Sequence, residues 1–298
     1  MQRFMLLMML ATSAYGVGLG GSGSGGGIDI DTAAQVYQAA EIREQVRATL
    51  GSMPERIRQM FSADSATALT DSQLGAISTA AEHGFRIYNF EPPALVALAA
   101  NMDANSVKKT LAFLNSEAGQ HMVVADLALS KLPEASIDKA MNGQLAAPST
   151  PSRDALMVKL AKATRSTEST VNIFLRMGRA VAVGTAIGSG RDPIAADDRA
   201  RKSSEATRQD MEQNMNDPLR SYMAYGYRDL SDAELKKLLS FLESVAGKSY
   251  VNANIEAMGA GFEAMGKRCG EQLGESLREL ALAAHQAAML PSELVKKP

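Results

Sequence analysis

One stretch of this chain occurs twice. Val107 to Ala125 (VKKTLAFLNSEAGQHMVVA) and Leu235 to Ala253 (LKKLLSFLESVAGKSYVNA) align without a gap at a constant offset of 128 residues. Ten of the 19 positions are identical, where unrelated sequences of ordinary composition share about one. An internal duplication of this kind constrains the fold before any single residue does, because the same supersecondary unit has to be built twice. The shared residues include Phe113/Phe241, Leu114/Leu242, Ser116/Ser244 and Gly119/Gly247. They are apolar, small or suited to capping a helix. No nucleophile with its base, and no metal-ligand cluster, is repeated.

The repeat reads as a helix, a corner and a second helix. Leu235, Leu238, Leu239 and Leu242 fall at i, i+3, i+4 and i+7, the spacing of one helical face. Ser231-Asp232-Ala233-Glu234 just before them is a capping box, in which Ser231 and Glu234 each satisfy the other's backbone amide. Leu230 and Leu235 stand at the positions of a hydrophobic staple. Thr70 to Gln73 repeats the device between Leu69 and Leu74, and Asp103 supplies the cap in the first copy. Ser116 and Ser244 are placed to end one helix and cap the next. Gly119 and Gly247 then fall in the first turn of the following helix, where a side chain is expected to collide with the preceding one. Beyond the second corner, Val251, Ile255, Met258, Phe262 and Met265 keep a 4-3-4-3 spacing, which Leu273, Leu277, Leu280 and Ala284 resume. Gly266, Gly270 and Gly274 form a small-residue ridge expected to pack within the chain.

The N-terminus has the layout of a secretory signal peptide: Arg3, the apolar run Phe4 to Ala11, then small residues at Ala14 and Gly16. The run is far short of the ~18 apolar residues of a membrane span. Gly18 to Gly27 follows as a linker. Its chance G-x-G-x-x-G pattern lacks the preceding strand that a dinucleotide site needs. The layout divides into a signal (1–16), a Gly/Ser-rich linker (17–31), a first helical module (32–143), a linker carrying Pro148 and Pro151 (144–153), a second module (154–290) and a tail (291–298). Ala, Leu and Met are abundant and tryptophan is absent, a composition that favours helix over sheet. The expected fold is all-α, two related helical-bundle modules from an internal duplication. The expected location is the periplasm or the outside of the cell.

Tyr227, the box Leu230 to Leu235, and Phe241-Leu242-Glu243-Ser244-Val245-Ala246-Gly247-Lys248-Ser249-Tyr250 resemble a bacterial family catalogued among the domains of unknown function under the number 2059. The family's pattern is an acidic-capped helix, an aromatic, then Ser-Pro-x-Gly and a second helix. Here Val245, and Glu117 in the first copy, stand where the family has proline. A proline there would occupy the first helical position, where its missing amide is harmless. The resemblance covers about 30 residues in the second half and about 20 more weakly in the first. It implies an exported, all-helical bacterial protein and carries no activity and no functional residues.

Composition narrows the function classes. The formal charge is −2 with both signs interspersed, so the clustered Lys and Arg of a nucleic-acid footprint are missing. Cys269 is the sole cysteine, which excludes an internal disulfide. His83, His121 and His285 stand at no zinc-ligand spacing. Ser106-to-Lys109 and Ser136-to-Lys139 match Ser-x-x-Lys, without the companion motifs of penicillin-recognising enzymes. Met211 and Met215 offer thioethers four residues apart, a pattern typical of core. The run 197–212 alternates charge as a solvated helix face does. The expectation is therefore a non-enzymatic interaction or structural module with no catalytic, cofactor-binding or metal residues. Its marked residues are structural: Phe113, Ser116, Gly119, Ser231, Glu234, Phe241, Ser244 and Gly247. Its partners are another protein or a second copy of the chain, with neither nucleic acid nor a stable membrane span after signal cleavage. The alternative is a carrier of a small apolar ligand or lipid in an inter-helix groove.

Overall fold

The computed structural model describes residues 27–51, 53–54, 70–145 and 147–289. The stretch read as a signal peptide, most of that read as a Gly/Ser linker, Leu69 of the second staple and the C-terminal tail lie outside them. The described part is all-α, with no strand among its residues. In chain order the helices are α1 (Ile30–Ala39), α2 (Ile42–Leu50), α3 (Asp71–Gly84), α4 (Ile87–Asn101), α5 (Ala104–Leu114), α6 (Glu117–Ser130) and α7 (Glu134–Met141). The second half contributes α8 (Pro151–Thr164), α9 (Ser166–Gly188), α10 (Pro193–Gly226), α11 (Asp232–Glu243) and α12 (Val245–Met289).

Local chemistry starts these helices. Thr70 with Gln73, and Ser231 with Glu234, form complete capping boxes for α3 and α11. Asp103 accepts from the amides of Asn105 and Ser106 at the head of α5. Two starts come earlier than the sequence divisions. Asp29 caps α1 through the Thr32 amide, and the Ile28 amide bonds the Ala99 carbonyl, so the end of the 17–31 stretch belongs to the fold. Thr150 caps α8 and Pro151 opens it, inside the stretch read as a 144–153 linker. Proline at the first helical position is already shaped for the helix and has no amide to leave unsatisfied.

α12, 45 residues long and so nearly 70 Å from end to end, is the spine. α3, α4 and α5 pack along it from the first half; α9 and α11 pack on it from the second. Val251, Ile255, Met258, Phe262 and Met265 are all buried. Phe262 meets Phe90 of α4 edge-on, with ring centroids 5.3 Å apart, an arrangement worth about 0.5–1.5 kcal/mol beyond area burial. The larger core draws on both halves, with Val36, Phe90 and Leu114 in one cluster with Leu235, Tyr250 and Phe262. A smaller core joins α6, α7, α9 and α10 around Ile137, Met211, Met215 and Tyr222. Both methionines are buried in that core. The charged run 197–212 lies on α10 and is mostly exposed.

The glycine ridge packs within the chain, against α9. A β-carbon at Gly270 would sit 2.2 Å from the Val181 carbonyl oxygen, and one at Gly184 would sit 2.2 Å from that of Lys267. Gly274 opposes Thr185 and Gly188 opposes Glu271 in the same way. Residue numbers rise together along the contact, so α9 and α12 run parallel with their backbones touching. Beyond Gly274, α9 has ended. The apolar stripe of α12 continues through Leu277 and Leu280, only half-buried, to an exposed Ala284.

Candidate functional site

The two repeated corners meet. α5 packs on α12 and α6 packs on α11, so the first helix of each similar segment contacts the second helix of the other. Between them the rings of Phe113 and Phe241 stack, centroids 4.1 Å apart and planes 5° from parallel. Ser116 Oγ accepts from the Gly119 amide at 3.2 Å, and Ser244 Oγ from the Gly247 amide at 3.0 Å. A β-carbon at Gly119 would lie 2.0 Å from the Phe113 carbonyl oxygen; at Gly247 it would lie 1.9 Å from that of Phe241. The obstacle is backbone in both, so the helices turn through the corner only if that position has no side chain. Lys108, Lys109, Lys236 and Lys237 point to solvent.

Against this frame α6, the end of α10 and the turn into α11 bound an open cleft of about 300 Å³. Its floor is apolar: Ala125, Leu129, Leu132 and Leu230, with Val124 and Ala128 on the exposed flank of α6. Its rim is polar. The Arg228 guanidinium lies over the Tyr225 ring, 4.2 Å from the centroid. His121 Nδ1 contacts Glu234 Oε1 at 2.5 Å. Glu234 is thus shared between the α11 capping box, where its other oxygen accepts from the Ser231 amide and hydroxyl, and a side chain of α6. The Ser231 hydroxyl, then His121, hold its carboxyl down at about 2. Such a depressed acid adds stability that is present above its ordinary value of 4.5 and is lost as pH falls toward 2.

Next to Ala125 on α6, Asp126 is fully buried. Its Oδ1 accepts from the Tyr227 hydroxyl at 3.0 Å. Burial pushes its carboxyl up to about 7, against the lesser, lowering effect of that bond. Tyr227 is fixed from behind by Arg153 of α8, also buried, whose Nη2 donates to the Tyr227 carbonyl at 2.6 Å while Nη1 donates to Asp232 Oδ1 at 2.8 Å. The rim therefore rests on a polar network spanning α6, α8 and the α10–α11 turn.

Among the described residues lining the cleft there is no serine, threonine or cysteine to serve as a nucleophile. The other sequence candidates lie elsewhere. His83 and His285 are exposed on α3 and α12. Ser106 Oγ donates to Asp103 Oδ2 at 2.6 Å. Cys269 is buried against Gly84, and burial pushes its thiol up to about 12. Among the described residues no three His, Cys, Asp or Glu side chains converge as a metal site would require. The His121–Glu234 contact and the Asp126–Tyr227 pair were not read from the sequence. One signal was there: Met122, Ala125, Asp126 and Leu129 share one helical face, so an aspartate falls on an apolar stripe. No protein-family model, no curated protein and no solved structure matches the chain.

Proposed function

We propose that this is an exported bacterial helical protein of the family numbered 2059, acting without catalysis as an interaction module, and that it engages a protein partner through the cleft between α6 and the α10–α11 turn. One observation carries the reading: an apolar floor open to solvent, rimmed by a tyrosine–arginine stack. Tyrosine and arginine around a small desolvated pocket are the residues that dominate binding energy at protein interfaces. At about 300 Å³ the cleft suits an inserted apolar side chain of a partner. A carried lipid calls for a larger and more enclosing cavity. Arg228 and Asp229 at the rim offer paired polar contacts, and the exposed Val124 extends the apolar surface.

The test is native mass spectrometry on protein purified from its own periplasm. The expected result is a stoichiometric protein complex that disappears on Ala128→Arg, with the melting temperature unchanged because Ala128 is exposed. A chain that instead retains a small apolar molecule supports the carrier. A complex indifferent to Ala128→Arg overturns the cleft assignment. Export is checked separately by fractionation and N-terminal sequencing, with a mature start near Val17 expected and an intact Met1 in the cytosol contrary to it.

A further inference from the structure

A second open cleft, of about 660 Å³, lies between the end of α8 and the junction of α11 with α12. Four cations line it, Lys159, Lys162, Arg165 and Lys248, against the single carboxylate of Glu243. Arg165 is committed: its Nη2 donates to both carboxylate oxygens of Glu168, at 2.7 and 2.8 Å. Its backbone, at φ 50°, forms the left-handed corner between α8 and α9. Lys159, Lys162 and Lys248 are exposed, and among the described residues none has a carboxylate partner.

The three ammonium groups come from two directions. Lys159 and Lys162 are three apart on α8 and so share a face; Lys248 stands in the first turns of α12. Three ammonium groups against the one carboxylate of Glu243 leave the walls net positive, which concentrates counter-charge inside the cleft. The remaining wall is Ala163, Leu242 and Val251, with the Asn252 amide at one side. The volume far exceeds that of a simple inorganic ion, and the half-buried Ala163 with the lysine methylenes, over the buried Leu242 and Val251, gives an organic body somewhere to lie. In the first copy of the repeat the positions of Lys248 and Asn252 are Gln120 and Val124, so this chemistry belongs to the second corner alone.

We infer that the α8–α12 cleft is a binding site for a phosphate-bearing organic anion, with Lys159, Lys162 and Lys248 holding the phosphate and the half-buried Ala163 with the lysine methylenes receiving the apolar part. Lysine ammoniums are adaptable point charges for phosphate oxygens. The phosphate ester is either a soluble metabolite or a lipid head group, and the two sources separate in the assay. The site is distinct from the α6–α10 cleft, so failure of either assignment leaves the other standing.

The mature chain is titrated calorimetrically with phenyl phosphate and with pyrophosphate, and is sedimented with phosphatidylglycerol or phosphatidylcholine vesicles. Saturable binding is expected, weakened about tenfold or more by Lys159→Ser/Lys162→Ser and by Lys248→Ser. Lys108→Ser/Lys109→Ser removes the same charge from α5 and is expected to leave it unchanged. Sedimentation with phosphatidylglycerol vesicles alone, reversed by pyrophosphate, assigns the phosphate to a lipid. Binding of phenyl phosphate without vesicle binding assigns it to a soluble ester. Absence of binding to all probes, or equal weakening by the α5 pair, overturns the site.

Discussion

The α5–α6 corner and the α11–α12 corner are built alike at the turn itself and unlike along the first turns of the helix that follows. Ser116 and Ser244 cap at nearly the same distance, Gly119 and Gly247 give way to the same carbonyl, and Phe113 and Phe241 stack on each other. The outward positions 120, 121 and 124 are Gln, His and Val, and their counterparts 248, 249 and 252 are Lys, Ser and Asn. One corner consequently borders an apolar cleft with a histidine–glutamate contact, and the other borders a basic one. Backbone contact leaves no room for a side chain at Gly119 or Gly247, whereas a solvated position can alter its chemistry at almost no cost in stability. The polar chemistry of the two clefts therefore differs at positions the two segments do not share.

The sharpest test of this comparison lies just past the aligned segment, where Asp126 and its counterpart Asn254 are both buried. Asp126 has a folded value near 7 against an ordinary 3.8. The folded state thus holds a proton that the unfolded state has lost, and stability falls as pH rises from about 4 to 7. Asp126→Asn makes the two positions alike while keeping an acceptor for the Tyr227 hydroxyl. Urea titrations of the variant are expected to show that decline largely abolished, so that the variant gains on the wild type as pH rises from about 4 to 8. Parallel stability–pH curves for variant and wild type would show that the aspartate is not buried as described.

The glycines come next in size. Gly119→Ala and Gly247→Ala are each expected to cost about 1–3 kcal/mol by denaturant titration, alanine's better helix propensity notwithstanding. The sequence alone suggests that alanine is the milder change at Gly247 and leucine the severe one. The approach of the Phe241 carbonyl makes the first added carbon the damaging one. Losses that differ sharply between the two corners would break their structural equivalence. The smallest effect carries the opposite sign. Gly178 on α9 is exposed, and a β-carbon there would meet nothing within 4 Å, so Gly178→Ala is expected to stabilise by up to about 1 kcal/mol. Gly270→Ala, on the α9–α12 contact, is expected to lower stability in the same denaturant titration.

Much of this architecture is decided within a few residues and so is legible in the chain. Ser231 and Glu234 satisfy each other's amides three positions apart, Thr70 and Gln73 do the same, and Ser116 and Ser244 cap whatever helix follows them. Amide satisfaction at a helix end is a local requirement, so short motifs determine where most helices begin. The misplaced edges, at Asp29 and Thr150, are also local caps, hidden in stretches whose Gly, Ser and Pro content reads as linker. Tertiary structure alone decided which faces meet. The ridge of Gly266, Gly270 and Gly274 is visible in the sequence, but its partner face at Gly184 and Gly188 is not. His121 reaches Glu234 across 113 residues, and Tyr227 reaches Asp126 across 101. Apolar burial rewards area without regard to partner, and many helical faces here are alike in Ala, Leu and Met. The choice among them comes from the packing of the whole chain, and both clefts are products of that choice.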